Sequence, residues 1–321
     1  MMSDIIKKFP TQFAFEPVVA GGKLKRFGRF ILSGMGGSHL AADLLLLARP
    51  DLPLLVRSDY GLPSLPPKEL KKSLLIASSY SGNTEEVIDA LHQALKKKMP
   101  VVVIAVGGAL IDIAKKKKLP YIQLPDTGIQ PRSALGFSLR ALLRAIGDEH
   151  GLKATKALAK TLKPLAFEAA GRALANRLKD HVPLIYASRQ NFAIAYNWKI
   201  KFNENGKIPA FCNSFPEINH NEMTGFEIQP SSRHLSERFH CIFLRDATDN
   251  PRIKRRMDVL KKLYTDRGLP VEEITLSGKN IFAKIFSSLL LVDWAAVATA
   301  ELYGLESEQV PMLEEFKKMI K

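Results

Sequence analysis

The chain has 321 residues, a length that favours two ordinary domains over one. Apolar residues make up 46% of it and charged residues 25%, which supplies buried cores and a charged surface and excludes disorder or coiled coil as the main state. Two cysteines, Cys212 and Cys241, are too few for a disulfide scaffold or a four-thiolate metal site. The net charge of +15 suits an acidic small substrate, because a positive field steers phosphorylated ligands toward a site.

Nucleic-acid binding and membrane insertion are both disfavoured. The lysine runs at residues 96–98 and 115–118 lie at the ends of helix-like segments, where cations complement the helix dipole, and no basic stripe with interleaved aromatics accompanies them. The apolar stretch 286–300 carries Asp293 and is too short for a bilayer span, so it predicts a buried helix. Residues 1–10 are charged and lack a signal-peptide pattern, so we expect a cytoplasmic protein.

In the first half, short apolar runs alternate with segments of helical period, the pattern of a parallel sheet covered by helices. The strands are predicted over residues 29–33, 53–56, 73–79, 101–106 and 121–124. The helices are predicted over residues 38–47, 84–97, 109–116 and 133–146.

The polar stretch 147–155 breaks this pattern, and a helical region over 156–179 with a break at Pro164 follows it. The alternation then resumes. Strands are predicted over residues 184–187, 241–244 and 273–276, and helices over 192–202, 251–264, 280–302 and 311–319. We therefore expect two α/β domains of similar size, residues 1–152 and 153–321, whose halves could be distant structural copies.

The first predicted strand ends in Gly34-Met35-Gly36-Gly37-Ser38, where glycines let the backbone approach a ligand before a helix begins. A dinucleotide fingerprint needs Gly or Ala three residues after Gly36, and His39 stands there. This disfavours a nicotinamide or flavin enzyme. A purely structural glycine turn is the alternative.

The third predicted strand ends in Ser78-Ser79-Tyr80-Ser81-Gly82-Asn83-Thr84-Glu85-Glu86. Backbone N–H groups at the following helix start, with the hydroxyls of Ser79, Ser81 and Thr84, can donate to phosphate oxygens. The alternative is a capping box. The surplus of hydroxyls and the position at the carboxyl edge of a parallel sheet favour an anion site, and the missing Gly-Lys-Ser/Thr ending excludes a nucleotide P-loop.

This serine run resembles the phosphate loop of sugar isomerase (SIS) domains. With the glycine turn and Pro131-Arg132-Ser133-Ala134-Leu135-Gly136, it resembles the bifunctional phosphoglucose/phosphomannose isomerases of archaea and bacteria, which are built from two SIS domains. Phe202-Asn203-Glu204-Asn205, Asn219-His220-Asn221-Glu222 and the segment 310–317 resemble the family's later signatures in the same order. His39, Ala187 and Asn197 depart from its usual residues and bear on the shape of the sugar pocket.

The resemblance implies two SIS-type domains, each a parallel β-sheet flanked by helices in a flavodoxin-like three-layer sandwich. It implies reversible isomerisation of glucose 6-phosphate and mannose 6-phosphate to fructose 6-phosphate, without cofactor or metal. Glu204 would move the proton between C2 and C1 through a cis-enediol, while His220 and Lys317 open the sugar ring. Arg132 would neutralise a phosphate or an enediolate. The phosphate would be bound by Gly37, Ser38, Ser79, Ser81 and Thr84.

The resemblance also implies a homodimer in which His220 comes from the neighbouring subunit. From residue type alone, the favoured interpretation is a solvated carboxylate for Glu204 and a surface cation for Lys317. Helix-start packing after Pro131 is the structural alternative for Arg132. Zinc is not expected, since the histidines lack metal-ligand spacing, and no Gly-x-Ser-x-Gly elbow of a serine hydrolase occurs. Two rivals are an SIS enzyme for another sugar phosphate and a non-catalytic sugar-phosphate sensor.

Overall fold

In the computed structural model, which describes residues 1–320, the chain forms two compact units. The N-terminal unit is Lys8–Leu162, and the C-terminal unit is Lys163–Lys321 together with Met1–Lys7. The boundary predicted at residue 152 lies upstream of this division. The chain after residue 152 still belongs to the N-terminal core, where Leu158 and Leu162 are buried.

A short helix, α1 (Met2–Lys8), opens the chain. The strands of the N-terminal unit are β1 (Phe30–Ser33), β2 (Leu54–Arg57), β3 (Leu74–Ser78), β4 (Val101–Ala105) and β5 (Tyr121–Gln123). Its helices are α2 (Gly37–Ala48), α3 (Pro67–Lys72), α4 (Glu85–Lys96), α5 (Gly108–Lys117), α6 (Leu135–Ile146), α7 (Glu149–Lys156) and α8 (Leu158–Thr161). All five strands lie within the segments predicted from the sequence or extend them by one residue.

The five strands are all parallel, in the order β2-β1-β3-β4-β5. Strands β1, β3 and β4 are buried throughout because both faces of the sheet are covered. On one face Leu75 and Val103 pack against Leu91 of α4 and Leu110 of α5. The predicted flavodoxin-like α/β architecture is confirmed, and its strand order reverses between β1 and β3.

The C-terminal unit contains a second parallel sheet, in the order β7-β6-β8-β9. The order matches β2-β1-β3-β4 of the first sheet, as expected for two structural copies. Its strands are β6 (Val182–Ser188), β7 (Phe211–Phe215), β8 (Phe239–Asp246) and β9 (Val271–Leu276). Its helices are α9 (Glu168–Leu178), α10 (Phe192–Glu204), α11 (Arg233–Ser236), α12 (Pro251–Asp266), α13 (Ile281–Leu302) and α14 (Pro311–Met319).

The sequence pattern did not predict β7. Asn213 and Ser214 interrupt its apolar run, and Phe211 at its start is 54% exposed. The strand lies at the edge of the sheet and pairs only with β6. An edge strand needs no continuous apolar sequence, so its composition resembles that of a loop.

The region 147–179 differs from its prediction. The segment expected to be a polar break contains α7, which Asp148 caps by accepting a hydrogen bond from the Gly151 N–H at 2.8 Å. Thr155 is buried, and its hydroxyl accepts a hydrogen bond from Arg140 at 3.1 Å, so tertiary contacts stabilise this polar helix. The break predicted at Pro164 is confirmed by a 3₁₀ turn before α9.

Helix α13 is long and apolar enough to cross a membrane by length and composition, and 72% of its most apolar window is buried inside the structure. It packs against α9 and α10. Asp293, its buried carboxylate, forms an ion pair with Lys201 of α10 at 2.7 Å. The Trp198 indole N–H donates to the Ser288 hydroxyl at 2.9 Å. These contacts identify α13 as the buried core helix that the sequence predicts.

His240 of β8 gives a prediction about stability and pH. The side chain is buried beside His181, and this burial, followed by the His181 ring, lowers the pKa of His240 to about 4. Unfolding returns the pKa to about 6.5, so this neutral histidine stabilises the fold above pH 6.5. The stabilisation is lost progressively as the pH falls toward 4, by up to about 3 kcal/mol.

Urea unfolding between pH 7 and pH 4 measures this loss, with His240→Gln as the comparison because it cannot gain the proton. The difference in unfolding free energy between the two proteins should shift in favour of the variant as the pH falls. Parallel pH curves for the two proteins would show that His240 does not cause the loss.

Candidate functional site

Two loops leave the carboxyl ends of β1 and β3, the strands between which the order of the sheet reverses. Ser38, in the first turn of α2, joins them. Its hydroxyl oxygen accepts a hydrogen bond from the Tyr80 N–H at 2.9 Å, and its carbonyl oxygen accepts one from the Ser78 hydroxyl at 3.1 Å. The Tyr80 N–H uses one acceptor lone pair of the Ser38 hydroxyl oxygen. The hydroxyl hydrogen of Ser38 can therefore still be donated to a ligand. The glycine turn and the serine run therefore form one cradle.

Inside the serine run, hydroxyl groups hold the backbone in shape. The Ser79 and Thr84 hydroxyl oxygens lie 2.7 Å apart, and Ser79 Oγ also accepts from the Gly82 N–H at 3.1 Å. This pair carries two hydroxyl hydrogens and its mutual bond uses one, so the other can donate to an anion. Ser81 is exposed, and its oxygen accepts from the Asn83 N–H at 3.3 Å.

The hydrogen bond of Thr84 bears on the capping alternative. Thr84 directly precedes α4, in extended backbone, but its hydroxyl makes no capping hydrogen bond to the helix. It bonds Ser79 instead. The first-turn N–H groups of α4 and the positive end of its dipole border a loop rich in hydroxyls, an arrangement that favours a bound anion. The structure thus gives Thr84 a role in the loop that a simple helix cap does not have.

Two glycines of the cradle cannot be replaced without displacing backbone. Gly82 has a φ of 75°, and a Cβ atom on it would lie 1.8 Å from the Gly107 carbonyl oxygen. A Cβ atom on Gly37 would lie 2.7 Å from the Arg132 backbone nitrogen. Gly37 therefore allows the turn after β1 to contact the segment of Arg132 directly.

Arg132 lies in the 3₁₀ turn Pro131–Ser133, and its side chain is 2% exposed. The turn is fixed by Gln12, whose amide donates to the Ser133 carbonyl oxygen at 2.7 Å and accepts from the Gly136 N–H at 2.9 Å. The backbone contact with Gly37 brings this arginine segment to the glycine turn. The five residues predicted to bind phosphate and Arg132 are thus all in the N-terminal unit. They lie on the two hydrogen-bonded loops and on the adjoining turn.

The three predicted acid/base residues are all in the C-terminal unit. Glu204 is the last residue of α10 and is partly exposed. The chain after it is tied down at several points: Lys207 Nζ donates to the Glu204 carbonyl oxygen at 2.7 Å, and Ser307 donates to the Asn205 carbonyl oxygen at 2.9 Å. Lys207 also donates to the carbonyl oxygen of Gln309. These contacts join the loop of Glu204 to the segment that leads into α14.

His220 is exposed at the end of a 3₁₀ turn, Glu217–His220, after the edge strand β7. The loop is anchored by Glu222, whose carboxylate accepts from the Tyr186 hydroxyl and the Asn213 amide, both at 2.5 Å. Burial keeps the pKa of Tyr186 far above its usual value, so this hydroxyl remains a donor. The anchor holds the loop on the sheet while the imidazole faces outward from the unit.

Lys317 is exposed on α14 and forms an ion pair with Glu314 at 2.8 Å. The Lys207 and Ser307 contacts bring the loop of Glu204 to the segment before α14. The salt bridge of Lys317 is with a residue of its own helix.

Several residues that shape the site were not singled out from the sequence. Asn83 stands in the quoted serine run, and its side-chain oxygen accepts from the Ala109 N–H at 2.9 Å, which fixes the loop to the start of α5. Lys207 and Ser307 clamp the loop of Glu204 through contacts distant in sequence, which no local pattern signals. Asn83 alone could have been found, as a side chain of turn-forming type beside a glycine.

The three departures from the family's usual residues are accommodated inside the units. His39 is buried on α2 with its Nδ1 atom 2.7 Å from an Asp43 carboxylate oxygen. Ala187 is buried in β6, and the amide of Asn197 donates to the Ala193 carbonyl oxygen of its own helix at 2.8 Å. Among residues 1–320, no group of three or more His, Cys, Asp or Glu side chains has a geometry that could hold a metal ion.

Comparison with known proteins places this site in context. Residues 167–320 match the family model of the bacterial phospho-glucose isomerase C-terminal SIS domain. A bifunctional phosphoglucose/phosphomannose isomerase of Aquifex aeolicus is 31% identical over 99% of this chain and 97% of its own length. One of Caldicellulosiruptor bescii is 33% identical over 93% of this chain and 91% of its own.

A solved structure gives the same result for the fold. The glucosamine-6-phosphate deaminase of Thermotoga maritima superposes with a TM-score of 0.66 at 14% identity, covering 97% of this chain and 96% of that one. At that identity the likeness concerns the fold alone.

Proposed function

The chain belongs to the family of bifunctional phosphoglucose/phosphomannose isomerases, and we propose that it interconverts glucose 6-phosphate and mannose 6-phosphate with fructose 6-phosphate. The observation that carries this assignment is the cradle at the β1/β3 switch point, together with a family relationship that spans both units. The cradle offers hydroxyl and backbone N–H donors, and the net charge of the chain is +15. The chain is an aldose-ketose isomerase in this proposal.

The proposed reaction needs two kinds of proton transfer. The sugar ring must open, and a proton must then move between C2 and C1 through a cis-enediol. Glu204 is the proposed base at C2, and His220 and Lys317 are the proposed ring-opening pair. Arg132 is proposed to stabilise the phosphate or the enediolate through its guanidinium group. These groups account for each proton transfer, so the proposed mechanism calls for no metal or organic cofactor.

The proposed enzyme is a cytoplasmic homodimer in which His220 is contributed to the site of the neighbouring subunit. The exposure of His220 on an anchored loop supports this part of the proposal. A group that serves its own subunit would instead be expected to face other site residues of that subunit.

The phosphate loop gives a prediction about substrate affinity. Ser81→Ala or Thr84→Ala should raise KM by roughly tenfold while leaving kcat within about a factor of three, because the phosphate does not react and is bound alike in substrate and transition state. Initial-rate kinetics with both aldose phosphates measure this. Ser138→Ala, a buried serine of α6 outside the cradle, is the control. A variant with normal KM and abolished turnover would contradict the phosphate assignment.

The decisive experiment is a coupled assay for fructose 6-phosphate, run on purified protein with glucose 6-phosphate, mannose 6-phosphate and an amino-sugar phosphate. Turnover of the first two is the expected result, at the same rate with and without a chelator. Turnover of the amino sugar alone would favour the first rival, an SIS enzyme for another sugar phosphate. Tight binding of all three with no turnover would favour a sugar-phosphate sensor.

A further inference from the structure

Lysine side chains collect at one edge of the N-terminal sheet, the edge at which its strands begin. The five strands are parallel, so all of their amino ends lie at this edge, opposite the cradle. Helices α3, α4 and α5 run back toward it, and each ends in lysines shortly before the next strand. These lysines are all exposed: Lys71 and Lys72, Lys96 to Lys98, and Lys115 to Lys118.

Backbone hydrogen bonds between the strand starts bring the three lysine groups together. The N–H of Leu75 in β3 donates to the Pro100 carbonyl oxygen at 2.9 Å, and the N–H of Val103 in β4 donates to that of Pro120 at 3.0 Å. The last lysines of the second and third groups each stand two residues before one of these prolines. Leu70 of α3 shares one core with α4 and α5, so the three helices cover the same face of the sheet. The lysine groups therefore form a row, spaced by the roughly 8–10 Å that separates packed helices.

The segment that leads into β1 adds three more cations. Ala20 pairs with Tyr121 at the start of β5, whereas β1 begins at Phe30 on the far side of β4 and β3. Residues 21–29 therefore connect the amino ends of these two strands, which are separated by three strand spacings of about 4.8 Å. Three exposed cations lie on this connection: Lys23, Lys25 and Arg26. We call these three residues and the nine lysines of the helix ends the basic edge.

Acidic side chains do not neutralise the basic edge. In the part of the chain that the structure describes, none of its cations forms a salt bridge, and its four segments contain no Asp or Glu. Of the acidic residues that flank these segments closely, Glu69 pairs with Arg29, and Asp112 is exposed on α5 one turn before Lys116. The net charge of the chain is +15, so the basic edge carries most of its positive excess.

The helix dipole explains only part of this clustering. Cations stabilise the last turn of a helix, but like charges three or four residues apart repel each other. Lys98 and Lys118 lie beyond the ends of α4 and α5 in left-handed backbone, with φ of 55° and 53°. Glycine is the favoured residue in that conformation, and a lysine there is strained. The chain therefore keeps positive charge at this edge at the expense of its own stability, a feature that clusters at functional surfaces.

We propose that the basic edge binds single-stranded nucleic acid through its phosphate backbone. A row of lysines without acidic neighbours is complementary to a polymer that carries a negative charge on every nucleotide. An acidic protein partner or a lipid surface would need large apolar side chains to contact, and the one such side chain in the four segments, Leu24, is partly buried. Phe27, partly exposed beside Arg26, can stack on an unpaired base, which a duplex does not offer.

The sequence alone disfavours this partner, because the lysine runs are separate along the chain. The fold brings the runs and Phe27 to one edge of one sheet. The inference goes beyond the proposed isomerase function, since none of the proposed site residues belongs to the basic edge.

Removing one lysine from each helix end tests the proposal. Fluorescence anisotropy measures the Kd of the full chain for a labelled oligouridylate of about 20 nucleotides, at a series of salt concentrations. The variant combines Lys72→Gln, Lys97→Gln and Lys117→Gln. It should raise the Kd at low salt by at least about tenfold. It should also lower the slope of log K against log salt by about two in magnitude, since each phosphate contact of a single strand contributes about 0.7.

A matched variant removes the same charge from exposed lysines outside the basic edge. It combines Lys153→Gln, Lys179→Gln and Lys279→Gln. Its Kd should change by less than about threefold and its salt slope should stay that of the wild type. An equal loss of affinity in both variants would show a general charge effect and overturn the proposal.

Lys98→Gly with Lys118→Gly separates binding from stability. Glycine relieves the left-handed backbone, so the urea midpoint should stay the same or rise while the Kd for the oligouridylate rises. Unchanged binding by this variant would contradict the proposal. A lower urea midpoint would show that the two cations serve their helix ends, and this too would overturn it.

The partner itself is tested on the wild-type chain. Binding to the oligouridylate should be in the micromolar range at low salt and weaker for a duplex of the same length. No binding at low salt, or tighter binding to phosphatidylserine vesicles than to the oligouridylate, would overturn the choice of partner. The isomerase assay is independent: the lysine variants should turn over glucose 6-phosphate like the wild type, and a wild-type chain without turnover would count against the proposed function while leaving the binding result in place.

Discussion

Replacing Glu204 by Gln is expected to lower the isomerisation of both sugars by at least about 10³-fold while phosphate-driven binding persists. Abstraction of the weakly acidic C2 proton cannot proceed without a base within reach, and glutamine keeps the shape of the side chain without its basicity. Lys207 and Ser307 hold the loop of Glu204 by donating to the backbone carbonyl oxygens of Glu204 and Asn205. Glutamine leaves these backbone contacts in place.

Exchange of the C2 hydrogen with solvent deuterium, followed by NMR, is the direct measurement. Glu301→Gln is the control: it removes a carboxylate of the same unit that pairs with Arg172 at 2.6 Å, and its rate should be unchanged. If the Glu204→Gln protein exchanged that hydrogen at the wild-type rate, another residue would be the base and the enediol assignment would be wrong.

Mixing two inactive variants is expected to restore activity if His220 serves the neighbouring subunit. A subunit with Glu204→Gln keeps His220, and a subunit with His220→Ala keeps Glu204, so each mixed dimer contains one complete site. After equal mixing and subunit exchange, the rate should reach about a quarter of the wild-type rate, because half of the dimers are mixed and each has one of two sites.

A second mixture distinguishes activity that comes from shared sites from activity of contaminating wild-type protein. Wild-type chains mixed equally with a Glu204→Gln, His220→Ala double variant should retain about a quarter of the wild-type rate if sites are shared, and about half if each subunit has its own complete site. No activity in the first mixture, with half in the second, would show that His220 acts within its own subunit.

The sequence predicted the N-terminal sheet closely, because its central strands β1, β3 and β4 are buried on both faces and therefore consist mostly of apolar residues. The serine run was recognised by residue type and by its place after β3. The sequence leaves the capping alternative open, since the same residues fit both roles. Only the structure showed that Thr84 bonds Ser79 and that Ser38 ties two separate loops together.

Predictions were poorer where tertiary contacts outweigh composition. Strand β7 escaped detection because an edge strand with polar residues has a loop-like pattern, and helix α7 because Arg140 satisfies its buried Thr155. Asp293 indicated correctly that α13 is no bilayer span, but its partner Lys201 could be found only in the folded unit.

The sequence by itself determined the alternation of strands and helices, the chemistry of the phosphate loop and the family signatures, because these depend on residue type and local spacing. Tertiary structure decided which loops meet at the β1/β3 switch point and which segments clamp the loop of Glu204. It also decided which faces stay uncovered, as on α14, none of whose residues is buried. Those features join residues far apart along the chain, where the free energy comes from packing and hydrogen bonds that no local pattern encodes.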